Sequence, residues 1–117
     1  MRKNNETGAR GERLAEEYLR EKGYFILNRN WRYIHKEVDL IVRDGDTLVF
    51  VEIKTRNGWR FGLPEESVSL TKQQHLRVAA SAYLEQFPGY KWVRFDVITI
   101  VFQNELIDEF RHLIDAF

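Results

Sequence analysis

The sequence predicts an α/β sandwich, a mixed β-sheet flanked by α-helices. Three observations lead there. Segments with apolar residues at helical spacing alternate with short runs rich in Val, Ile and Phe. Their order is helix, three strands, helix, strand, the pattern of a sheet covered by helices. The passage from the third strand through the second helix to the fourth strand is a crossover, so those two strands should be parallel.

The first helix is expected from Thr7 or Gly8 to Lys22. Ala15, Leu19 and, at the edges, Leu14 and Tyr18 form its apolar stripe, and Gly23 stops it. Tyr24-Phe25-Ile26-Leu27 opens a first strand that runs to about Trp31. The second strand is Glu37 to Val42, and Asp44-Gly45-Asp46 is a hairpin turn signal. The third strand, Thr47 to Thr55, is the most apolar. Gly58, Gly62 and Pro64 break the segment after it. Thr71 and Gln74 fit a capping box for the second helix, which Phe87-Pro88-Gly89 ends. A fourth strand covers Val93 to Val101, with Trp92 and Phe95 read as core. The tail from Glu105 to Phe117 fits either a strand or a helix.

Composition narrows the function. The chain has 117 residues, enough for one domain spanning 1–117. It is 44% hydrophobic and 31% charged, which is globular rather than disordered or fibrous. It holds no cysteine, which excludes a disulfide scaffold and a Cys-ligated zinc site. No apolar run approaches the roughly 20 residues of a membrane helix. The start is polar and lacks a signal-peptide apolar region, so no membrane association and a cytoplasmic location are expected. Lys plus Arg number 18 and Asp plus Glu number 18, so bulk positive charge cannot drive nucleic-acid binding. Charge is nevertheless uneven: Lys54, Arg56 and Arg60 cluster, whereas the tail is acidic.

A few charged residues lie inside apolar strands. Side chains alternate faces along a strand. Glu52 and Lys54 therefore share one face, with Val51 and Ile53 on the other; Glu37 and Asp39 share a face opposite Val38, Leu40 and Val42. The Asp44-Gly45-Asp46 turn makes these strands neighbours, so Asp39 and Glu52 can meet across the pair. Burying such charges costs several kcal/mol per ion, unless partners offset it. Glu12 lies at the edge of the first helix's apolar stripe, and Gly8 and Gly11 would let that end approach the sheet. Hard divalent cations such as Mg²⁺ take one or two carboxylates and keep waters for a phosphate substrate. Lys54, about 7 Å along the strand from Glu52, would reach the attacking water or the scissile phosphate.

The chain resembles the YraN-like family, whose members are inferred endonucleases of the restriction-endonuclease-like (PD-(D/E)xK) superfamily. The matching stretches are Gly8-Ala9-Arg10-Gly11-Glu12 with Ala15 and Tyr18-Leu19; Gly23-Tyr24; Asn28-Arg29-Asn30-Trp31-Arg32; Glu37-Val38-Asp39-Leu40-Ile41; Phe50-Val51-Glu52-Ile53-Lys54-Thr55-Arg56; Phe61-Gly62; Lys72 with Leu76; Arg94-Phe95-Asp96-Val97; and Ala116-Phe117. Lys36 stands where that family usually has glycine before the residue matching Glu37. The resemblance implies a nuclease core similar to that of archaeal Holliday-junction resolvases. It makes Asp39 and Glu52 ligands of Mg²⁺ or Mn²⁺, with Glu12 and the Ile53 carbonyl assisting, and Lys54 the catalytic lysine. The substrate expected is DNA, branched or otherwise structured, and a homodimer would suit a two-strand cut.

Other residues fit a nucleic-acid surface. The segment Arg56-Asn57-Gly58-Trp59-Arg60-Phe61-Gly62 interleaves arginines, which bind phosphates, with aromatics, which stack on unpaired bases. Lys72 at the start of the second helix suits a phosphate at a helix N-terminus. Gln73 and Gln74 belong to the same end, and Arg29 and Arg32 line a polar, basic strand end. His35, His75 and His112 have no metal-ligand spacing and read as surface or core residues. Two functions from different classes fit: a Mg²⁺-dependent endonuclease, and a catalytically idle module that binds nucleic acid or another partner.

Overall fold

A computed structural model describes residues 2–58 and 68–117, with side chains described from residue 6 onward. The elements are α1 (Arg2–Glu21), β1 (Phe25–Tyr33), β2 (Lys36–Asp44), β3 (Thr47–Asn57), α2 (Leu70–Gln86), β4 (Trp92–Gln103) and β5 (Leu106–Leu113). The five strands form one sheet in the order β1-β2-β3-β4-β5. β3 and β4 are parallel, as the crossover requires, and the other neighbouring pairs are antiparallel. The tail ambiguity resolves as strand β5, paired along the edge of β4.

The two faces of the sheet carry separate cores. Val49, Val51 and Ile53 pack with Leu40, Val42 and, from α1, Ala15 and Leu19. Leu48 and Phe50 pack on the other face with Leu76, Ala79, Ala80 and Tyr83 of α2. Strict alternation along β3 produces this division, because a fully buried strand is apolar on both sides. The result is a helix-sheet-helix sandwich.

Several expectations need correction. α1 begins at Arg2 rather than Thr7; its first turn is polar and so carries no apolar periodicity to detect. The cap of α2 is Ser69, whose hydroxyl accepts from the Lys72 N–H at 3.1 Å. Thr71 instead lies inside the first turn. Trp92 is 60% exposed at the start of β4, whereas Phe95 is buried. Val38 does not share a core with Leu40 and Val42. It packs with Ile41 on the α2 side, so the alternation of β2 breaks between Val38 and Leu40. Gly11 does permit close approach: a Cβ there would stand 2.2 Å from the Thr55 methyl of β3, whereas Gly8 faces open space.

Beneath α1 lies a buried polar network. Asp96 is fully buried and receives two bonds from Arg94, at 2.8 and 2.9 Å. The Asp115 N–H also donates to it at 3.0 Å, and His112 Nε2 lies 2.7 Å away. Tyr18 closes the chain on His112 Nδ1 at 2.9 Å. These contacts hold the Asp96 carboxyl below the usual carboxylate range, the bonds from His112 and Arg94 outweighing the large opposing effect of burial. His112 is thus a core histidine joining β5 to α1. Asp96→Ala leaves Arg94 without its buried partner and is expected to cost about 3–5 kcal/mol of stability, read by chemical denaturation; a loss below 1 kcal/mol would mean the network is dispensable.

Candidate active site

The ladder between β2 and β3 ends at Leu40 paired with Val51. Asp39 and Glu52 are the next residue of each strand, so they face each other where the two strands part. Asp39 takes over from the ladder with its side chain: its Oδ2 accepts the Ile53 N–H at 2.8 Å. A residue's N–H and C=O point to the same neighbouring strand, which turns the Ile53 carbonyl toward this gap as well.

Glu52 shares the α2 face with Phe50 and is only 3% exposed. Lys54, two residues along the same face, places its Nζ 3.2 Å from Glu52 Oε2. Lys72, in the first turn of α2, places its Nζ 3.5 Å from that same oxygen. The other oxygen, Glu52 Oε1, is buried and has no hydrogen-bond partner among the described residues. Asp39 is half-buried. Burial first, then the neighbouring charge of Glu52, pushes its carboxyl up to about 7, against the lowering effects of the Ile53 N–H and Lys72. Glu12 enters from the α1 side. Burial raises its carboxyl, a hydrogen bond with the Asn30 side chain opposes that rise, and the charges of Glu37 and Glu52 add to it.

The structure therefore brings together Asp39, Glu52 and Lys54, with Lys72 beside them and Glu12 within electrostatic reach. Glu37 forms a long ion pair with the exposed Arg32, at 3.7 Å. Arg29 lies elsewhere, held by Glu16 of α1 through two hydrogen bonds, one of 2.8 Å from its Nε. Arg56 donates to the Thr55 carbonyl at 3.2 Å, and its buried Nε has no partner among the described residues. Gln74 is exposed, and its neighbour Gln73 donates to the Val68 carbonyl at 3.2 Å. Trp59, Arg60, Phe61 and Gly62 lie outside the described residues. The sequence reading missed Asn30, the partner of Glu12, which takes a left-handed conformation, φ 49°. Asn is among the residue types enriched in that conformation, and residue type is the one signal the sequence carries for it.

Among the described residues, no three carboxylate or imidazole groups gather closely enough to cage a cation. The donor set is a pair. Asp39 and Glu52 nevertheless suit a hard divalent ion, which takes one or two carboxylates and fills its shell with water. Burial first and then the charge of Glu52 raise the Asp39 carboxyl, and among the described residues Glu52 Oε1 has no partner, so a cation would relieve both groups.

The fold and this cluster define a class: an α/β sandwich domain with a paired-carboxylate, two-lysine cluster where β2 and β3 separate. The profile of the uncharacterised protein family UPF0102 matches residues 11–100. A UPF0102 protein of Rhodococcus opacus (strain B4) is 45% identical over 118 residues, covering 100% of both chains. One of Syntrophomonas wolfei subsp. wolfei is 44% identical over 115 residues, 97% of this chain and 99% of its own. One of Bacteroides thetaiotaomicron is 44% identical over 104 residues, 89% of this chain and 86% of its own. The chain belongs to the UPF0102 family, and the YraN-like resemblance holds at that level. No helix among the described residues is long and apolar enough to cross a membrane.

Proposed function

We propose that the protein is a divalent-cation-dependent endonuclease of the restriction-endonuclease-like superfamily, hydrolysing phosphodiester bonds in branched or otherwise structured DNA. One observation carries this reading: Asp39, Glu52 and Lys54 converge at the parting of β2 and β3, with one Glu52 oxygen left without a partner among the described residues. Asp39 and Glu52, with the Ile53 carbonyl and Glu12 assisting, would hold Mg²⁺ or Mn²⁺. Such an ion, when bound, polarises the phosphate and lowers the pKa of a bound water.

The chain's own residues supply the rest. The Ile53 N–H fixes the Asp39 carboxylate, so its orientation is set by backbone. Lys54, anchored on β3 and less exposed than Lys72, lends positive charge to the extra negative charge that builds on the phosphate oxygens. It also orients the water that attacks phosphorus in line with the leaving oxygen. A new P–O bond forms, the bond to the leaving oxygen breaks, and a proton from the attacking water ends on that leaving oxygen through solvent. Arg56 and Lys72 flank the cleft and suit the DNA backbone.

The test is cleavage of duplex, single-stranded and four-way-junction DNA with Mg²⁺, Mn²⁺ or EDTA. Cleavage of at least one substrate in either metal, and none in EDTA, is expected. Binding without cleavage in any metal would instead leave a catalytically idle nucleic-acid-binding module.

A further inference from the structure

Two ammonium groups converge on one oxygen of Glu52, yet they are held differently. Lys54 is tied to the site by its own strand: with Glu52 fixed two residues away on the same face, it stays close in any state of the sheet. Lys72 arrives from another element, on the first turn of α2, a helix start set by Ser69. Its side chain is the more exposed of the two, 34% against 24% for Lys54. A lysine side chain is a compact charge on a flexible four-carbon stem and can swing away without moving its helix. Glu52, with a side chain only 4% exposed, has no water-rich surface to relieve its charge.

The two carboxylates that would hold a cation are therefore already partly neutralised. An ion placed between Asp39 and Glu52 adds positive charge to an oxygen that carries two ammonium groups. One of them must yield, and only Lys72 has the reach and the exposure to do so. Resting on the metal reading above, we propose that Lys72 is the resident counter-ion of Glu52, displaced from it by the divalent cation, so that its charge sets the cation affinity of the site. The site then keeps its buried carboxylate paired before metal arrives, and metal arrival frees a lysine at the edge of the cleft. This differs from a lysine that only binds DNA phosphates, which would have no effect on metal affinity in the absence of DNA. It also differs from a merely structural ion pair, whose loss would not tighten metal binding.

The test uses Mn²⁺ alone, without DNA, and calorimetry on the wild type, Lys72→Gln and Lys72→Arg. Lys72→Gln should bind Mn²⁺ about fivefold tighter, the lower end of the usual coupling between sites. It should also melt lower than wild type in EDTA. Lys72→Arg keeps the charge and should stay near wild-type affinity. A second readout needs no variant: acetylation of Lys72 in the wild type, followed by mass spectrometry, should speed up when Mn²⁺ is added. Unchanged or weaker Mn²⁺ affinity in Lys72→Gln, or Lys72 acetylation that is unchanged or slowed by Mn²⁺, overturns the counter-ion exchange and leaves the metal reading standing. A wild type that binds no Mn²⁺ overturns both.

Discussion

In the Lys54→Ala protein, metal-dependent cleavage should fall by at least about a hundredfold. Loss of one preorganised group aimed at developing charge typically costs that much or more in turnover. The fold should survive. The Lys54 side chain is 24% exposed and belongs to neither core, and Lys72 still neutralises Glu52 from 3.5 Å. Mn²⁺ affinity should not fall and should rise, because the substitution takes one of the two ammonium groups off Glu52 Oε2, so turnover and metal binding separate. Cleavage by the variant at the wild-type rate, with metal matched, would remove Lys54 from the mechanism.

The Asp39→Asn protein should behave in the opposite way, losing metal response while gaining intrinsic stability. In the wild type, burial and Glu52 push the Asp39 carboxyl up to about 7, against about 3.9 in an unfolded chain. The folded state therefore binds the Asp39 proton more tightly than the unfolded one. Stability from this group is greatest below pH 4 and is lost as pH rises toward 7, by on the order of 2–4 kcal/mol. Asparagine keeps an oxygen that can accept the Ile53 N–H and carries no charge. Melting in EDTA at pH 5 and at pH 7.5 checks this: the drop between the two should be smaller in the variant, and its melting point at pH 7.5 equal or higher. An equal drop in both proteins would mean that Asp39 is not strained by its neighbours.

Much of this architecture was legible in the residues. Glu-x-Lys inside the most apolar run fixed which face of β3 is polar, and the crossover fixed the parallel pairing of β3 with β4. Turn chemistry at Asp44-Gly45-Asp46 made β2 and β3 neighbours and so brought Asp39 to Glu52. What escaped depends on long-range contacts. Val38 goes to the α2 core because β2 breaks its alternation at Asp39, and no local propensity signals that break. Lys72 was legible as a cation at a helix start, but its bond to Glu52 depends on where α2 crosses the sheet. Arg29 reads as a groove residue until Glu16, thirteen positions earlier, claims it. The edge strand β5 sets an exposed Asp108 beside a half-buried Glu109 after two exposed apolar residues, which blurs both helical and strand periodicity.

The proposed function rests on a divalent-cation site formed by Asp39 and Glu52. Thermal melting of the wild-type protein at pH 7.5, in EDTA and in increasing Mn²⁺, tests it most directly. A cation that binds only the folded state stabilises by about 1.4 kcal/mol at ten times its Kd, which for a domain of this size is roughly 3–6 °C in Tm. That rise is expected in the wild type and its absence in Asp39→Asn. A wild-type melting point that stays the same from EDTA to millimolar Mn²⁺ would contradict it.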